Sequence, residues 1–254
     1  MDLELHGRHV LITGGSRGIG RACAEAFAAE GCSLALAART AADLDAAAEG
    51  LRERHGVTVT THPGDLSSPD DQVALVDAVG SVDVVVNNAG AIPPGDLGAL
   101  DDEALRESWE LKVFGYVNLC RSIVPRMVER GSGVIVNVIG AAAVRPQRSY
   151  IAGGMGNAAL VALTRALGAR SLRDGVRVVG VNPGLVVTDR MIDLLRASAQ
   201  ERFRDPERWE ELVPSDPAPG RPEQIADVVA FLASPRAGHV SGTTLTLDGG
   251  ASAR

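Results

Sequence analysis

Short apolar runs alternate along the chain with longer segments whose apolar residues recur at helical spacing. The runs are HVLIT (9–13), SLALAA (33–38), VTVTT (57–61), VDVVVN (82–87), GVIVNV (133–138), VRVVGV (176–181) and TLTL (244–247). Most are apolar on both faces, as strands of a sheet covered on both sides must be. Helical periodicity fills 18–30, 41–55, 69–79, 101–130, about 152–173 and 222–233. Strand and helix alternating in this way predict an α/β fold, a doubly wound parallel sheet, as a single domain over 1–254.

The alternation stops between Asp189 and Pro222. Two short amphipathic pieces, about 190–203 and 206–213, lead into the proline-rich PSDPAPGRP. A long insert near the carboxyl ends of the strands suits a lid over a ligand, and about 189–222 is expected to be one; a plain surface excursion is the alternative.

Composition narrows the class. Apolar residues are 45% and charged residues 22% of the 254, enough for a sizeable core. Aromatics are only 3%, which suits closely packed helices on a sheet. A net charge of −7 with no basic run argues against nucleic acid or an anionic membrane as partner. Cys23, Cys32 and Cys120 show no paired spacing, so three buried thiols in a reducing cytoplasm are expected. MDLELHGRHV lacks a secretory pattern, and no apolar run approaches the ~18 residues that a membrane span needs.

TGGSRGIG (13–20) follows the first strand and opens the first helix. Glycines there let the backbone turn tightly and let a pyrophosphate approach the helix N-terminus, where free N–H groups favour negative charge. Gly14, Ser16, Arg17, Gly18, Ile19 and Gly20 are therefore cofactor-binding candidates in a Rossmann-type fold.

That turn, then GDL (64–66), NNAG (87–90), NPGLVVT (182–188) and SGTTLTLDGG (241–250), resembles the short-chain dehydrogenase/reductase superfamily, in order and over nearly the whole chain. The resemblance implies an oxidoreductase that passes hydride between a nicotinamide dinucleotide and a carbonyl or enone small molecule. It implies Asp65 on the adenine with Leu66 beside it, and Asn88, Ala89 and Gly90 along the ribose side. Pro183, Gly184 and Thr188 would flank the nicotinamide. It also implies a homo-oligomer, dimer or tetramer, through the two long helices, where Val113, Val117, Leu160, Leu163 and Leu167 fit an interface or packing on the sheet equally well.

Cofactor choice follows from charge. An NAD site usually ends the second strand with an acid for the ribose 2′-hydroxyl. Here Ala38 stands there, followed by Arg39, and Arg17 lies in the glycine turn. Two guanidinium groups suit a 2′-phosphate, so NADP(H) is expected over NAD(H).

The resemblance also implies a Ser, a Tyr, a Lys and an Asn for catalysis. Their positions hold Gly140, Gly153, Asn157 and Lys112. Yet Tyr150 lies seven residues before Asn157, the longer spacing of the enoyl-thioester reductase branch, and Lys and Asn look exchanged. The rewired reading makes Tyr150 the proton donor, Lys112 the cation that lowers its pKa, and Asn157 the partner of the nicotinamide ribose. Gly153, Gly154 and Gly156 weaken the first helical turn, so a late helix start is expected. A cofactor-binding pseudoenzyme, or a lyase or cyclase on the same scaffold, stays open.

Arg145 and Arg148 could hold a substrate anion or be solvated loop charges. Trp109 and Trp209 could wall an apolar substrate or simply pack. His62 has no visible acid partner, no metal-ligand spacing appears, and no G-x-S-x-G turn exists.

Overall fold

A computed structural model describes residues 1–253, apart from the side chains of Ala197 and Glu201. Its strands are β1 (His9–Thr13), β2 (Ser33–Ala38), β3 (Val59–Pro63), β4 (Val84–Asn87), β5 (Gly133–Val138), β6 (Val176–Pro183) and β7 (Thr244–Leu247). All pair in parallel, in the order β3-β2-β1-β4-β5-β6-β7. The helices are α1 (Gly18–Ala29), α2 (Ala41–His55), α3 (Pro69–Val79), α4 (Asp102–Trp109), α5 (Gly115–Arg130), α6 (Ile151–Gly168), α7 (Asp189–Phe203) and α8 (Pro222–Ala233).

Strand alternation sends side chains to two cores. Val10, Ile12, Leu34 and Leu36 pack under α1, α2 and α8. Leu11, Ala35, Val85 and Ile135 face α3 and α5. Because β1 pairs with both β2 and β4, the chain leaves it in opposite directions. That switch point opens a crevice at the carboxyl ends of the two strands, where open α/β sheets hold their ligands.

Four sequence expectations shift. The third strand lies at Val59–Pro63, two residues later than expected, because Leu34 pairs with Val59 and Ala38 with Pro63. The expected helix over 101–130 is broken by a π-helical turn, Glu110–Phe114, between α4 and α5. The helix expected to about 173 ends at Gly168, where a Cβ would run into the Gly242 backbone, and Arg170 turns left-handed at φ +69°. The helix expected to start late begins at Ile151 in spite of its glycines. Its first turn is held from outside: Trp109 Nε1 donates to the Ala152 carbonyl (3.1 Å), and Gly95 pairs with Tyr150 through Gly95 N to Ser149 O (2.8 Å) and Ile151 N to Gly95 O (3.2 Å).

The cysteines are buried and unpaired, and burial pushes each thiol up to about 12. No helix among the described residues is long and apolar enough to cross a membrane.

Candidate active site

A cleft of about 990 Å³ runs over the carboxyl ends of the central strands, from Arg17 and Arg39 at one end to Gly184, Arg190 and Asp193 at the other. Its floor begins at the glycine turn. Thr13 Oγ1 accepts from the backbone N–H groups of Asn88 (2.9 Å) and Ala89 (3.0 Å). Asn88 Nδ2 donates back to the carbonyls of Thr13 (3.1 Å) and Gly14 (3.3 Å). A Cβ on Gly20 would sit 2.5 Å from that same nitrogen, so the helix approaches this closely only as glycine. Gly18, at φ +53°, needs the left-handed region.

Two features of α1 fit the pyrophosphate of a dinucleotide. Its N-cap, Arg17, makes no side-chain cap hydrogen bond, and its first turn carries no acid. The first N–H groups are thus left for an anion from the cleft, which Gly14, Ser16, Gly18 and Ile19 line. Thr188, at the N-cap of α7, accepts from Met191 N (3.3 Å) and lies 3.2 Å from where a Gly18 Cβ would be, closing the turn from above.

At the outer end Arg17 pairs with Asp43 (2.5 Å), and Arg39 and Ala38 line the same wall. Gly64 and Leu66 line the cleft but Asp65 does not. Its carboxylate accepts from Ser67 N (3.0 Å) and Oγ (2.8 Å), which with the charge of Arg39 hold it below the usual range.

The inner end holds three side chains, each set against a glycine. Tyr150 is the N-cap of α6, and its ring occupies the space a side chain on Gly153 would need. Asn157, 4% exposed, sets its Nδ2 2.7 Å from where a Gly140 Cβ would stand. The stem of Lys112 lies across Gly90, which has no room for a Cβ. All three line the cleft, as do Gly140, Ala89, Gly90, Pro183 and Gly184.

Lys112 rides on the π-helical turn and is 8% exposed. Its Nζ donates to the Val138 carbonyl (2.7 Å) and to Tyr116 Oη (3.0 Å), and Tyr116 Oη also donates to Val138 O (2.9 Å). Burial, with a smaller push from the Arg190 charge, lowers its pKa to about 7. Burial raises Tyr150, and the charge that pulls it back down is that of Arg190. Sequence reasoning gave that role to Lys112. The structure instead pairs Lys112 with Tyr116, a residue missed in the sequence although it stands one helical turn on from Lys112.

Arg190 was also missed, because nothing in VVTDRM marks it out. Its guanidinium donates to the carbonyls of Gly90 (2.9 Å) and Ile92 (2.7 Å), which brings α7 onto the loop that also pairs with Tyr150.

Of the other candidates, Arg145 lines the cleft, whereas Arg148 lies 3.9 Å from Asp96. Neither tryptophan lines it; Trp109 braces α6 instead. His62 bonds Thr60 Oγ1 (2.9 Å), and burial lowers its pKa. No cluster of metal-ligating side chains occurs among the described residues.

The family described as Enoyl-(Acyl carrier protein) reductase matches residues 14–252. Galactitol 2-dehydrogenase (L-tagatose-forming) of Cereibacter sphaeroides is 36% identical, with 97% of this chain and 96% of that protein covered. L-sorbose reductase of Gluconobacter frateurii, solved with NADPH and L-sorbose, superposes with a TM-score of 0.92 at 33% identity, 98% of each chain covered. A 3-oxoacyl (acyl-carrier-protein) reductase of Agrobacterium tumefaciens C58 with NADP bound gives 0.87 at 31% identity, covering 98% of this chain and 95% of that one. The chain belongs to the short-chain dehydrogenases/reductases.

This short-chain dehydrogenase/reductase is accordingly an oxidoreductase that binds a nicotinamide cofactor, and its cleft fits that group. The family's binding elements run along the cleft, from the glycine turn to Pro183 and Gly184. Its most unusual residues, Tyr150, Asn157 and Lys112, line the same cleft.

Proposed function

We propose an NADP(H)-dependent reductase or dehydrogenase of a small carbonyl compound, with Tyr150 as proton donor. The observation that carries this reading is the Tyr150 ring filling the space in front of Gly153. A phenol is thereby delivered to the cleft from the N-cap of α6, three residues before the position at which the family resemblance places one.

A nicotinamide dinucleotide would supply or accept the hydride. The N-terminus of α1 would hold its pyrophosphate, Arg17 and Arg39 its 2′-phosphate, and Leu66, Asn88, Ala89 and Gly90 its adenosine half, with Asp65, outside the cleft lining, steadying that loop through Ser67. Pro183, Gly184 and Thr188 would frame the ring. Asn157, whose amide makes no hydrogen bond among the described residues, would bond the nicotinamide ribose. Tyr150 Oη gives its proton to the substrate oxygen in reduction and takes it in oxidation. Arg190 favours the phenolate against the burial that opposes it. Lys112 supplies a second, titratable charge on the floor.

Asp189, Arg190, Asp193 and Pro214 all line the cleft, which supports 189–222 as its lid. The relatives named for galactitol and L-sorbose support a polyhydroxylated ketone as substrate. The outer face of α6 carries a shallow groove of Ala158, Val161, Ala162 and Ala166, where a second copy would meet the first.

The test is NADPH oxidation across a panel of ketoses, simple ketones and enones, beside a titration of cofactor binding. Turnover of a ketone with alcohol formed in equal amount is expected. Tight cofactor binding with no turnover across the panel would contradict the reading.

A further inference from the structure

Lys112 is the single lysine of the chain; every other one of its 25 Lys and Arg residues is arginine. Arginine does not lose its proton in proteins, so this is the one side-chain primary amine, the group that can condense with a carbonyl once neutral. It stands in the wall of the cleft. A neutral amine has two N–H bonds and one lone pair. Nζ has two acceptors, Val138 O at 2.7 Å and Tyr116 Oη at 3.0 Å. Both N–H bonds are accounted for, and the lone pair is left for the cleft.

We propose that Lys112 captures an aldehyde or ketone in the cleft as a covalent iminium, a site separate from the proton donor Tyr150. The lone pair attacks the carbonyl carbon and the C=O electron pair moves to oxygen. The oxygen takes up protons and leaves as water while the C=N bond forms. Amine, carbonyl and one proton give iminium and water, with nothing oxidised or reduced. The iminium retains one N–H for Val138 O. The step needs no cofactor and does not depend on hydride transfer.

The groups on the amine are Tyr116 from α5 and the Val138 carbonyl from β5, and the charge acting on it is that of Arg190 from α7. With a pKa of about 7, some half of the amine is uncharged at neutral pH. For an unperturbed lysine the fraction is roughly one in several thousand.

The full chain is incubated at pH 7 with propanal or hydroxyacetone and cyanoborohydride, and the adduct is located by peptide mass mapping. The α-amino terminus is the internal reference, and Lys112→Arg is the blank. The folded protein is expected to label at Lys112 tenfold or more faster than the guanidinium-unfolded chain, with a rate that rises through pH 7. Tyr150→Phe is expected to label as well, which separates this site from the redox reading. Labelling of Lys112 no faster in the folded protein than in the unfolded chain, or confined to the α-amine, would overturn the proposal.

Discussion

Tyr150 and Gly153 share one volume: the phenol ring of the first lies where the side chain of the second would begin. An alanine at 153 must therefore displace the ring. Gly153→Ala is expected to keep the fold, since alanine is the better helix former by roughly 1 kcal/mol. It is expected to lower turnover on the order of 10²-fold, the scale of a lost proton donor. Steady-state kinetics beside a thermal melt check both halves.

Gly140 stands in the same relation to Asn157. It has φ +146°, and a Cβ there would meet Asn157 Nδ2 at 2.7 Å. Gly140→Ala is expected to cost roughly 1–3 kcal/mol in backbone strain. It should also weaken cofactor binding by turning the amide away, which denaturant unfolding and a cofactor titration read separately.

Arg190 lowers the Tyr150 pKa, so its removal should raise it. Alcohol oxidation needs the phenolate. In Arg190→Leu the rising limb of kcat/KM against pH for that direction is expected to move to higher pH, whereas loss of a purely structural contact would lower the profile without moving it.

The buried amine sets a pH dependence of stability. Lys112 titrates at about 7 folded against 10.5 unfolded. Between those values the unfolded chain binds more protons, so stability rises with pH. The clean window is pH 7 to about 8, below the ordinary thiol value of about 8.5 at which the three cysteines ionise in the unfolded chain. Lys112→Met is expected to flatten the slope, on the order of 1 kcal/mol per pH unit, in denaturant melts across that range.

At the other end of the cleft, Arg39 has no acid where an NAD site would place one. Arg39→Ala is expected to weaken NADPH on the order of ten- to a hundredfold and to leave NADH nearly unchanged, as competitive titrations would measure.

The sheet was legible because its strands are apolar on both faces, and the glycine turn because its spacing is fixed by backbone geometry. What escaped was set by tertiary contact. The π-helical turn at Lys112 lies inside an unbroken helical pattern of apolar residues. The early start of α6 depends on Trp109 and Gly95, distant in sequence, which hold a turn that local propensity disfavours. The hold of Arg190 on Gly90 and Ile92 crosses about a hundred residues and leaves no local trace. The residues named as catalytic do reach one cleft, but the pairing expected between Tyr150 and Lys112 divides into two, Tyr150 with Arg190 and Lys112 with Tyr116.

The most direct measurement is turnover of the best ketone by Tyr150→Phe, with NADPH affinity determined on the same sample. The account predicts a fall of about 10² or more in kcat with the cofactor Kd within a few-fold of wild type. Wild-type turnover in that variant would contradict it.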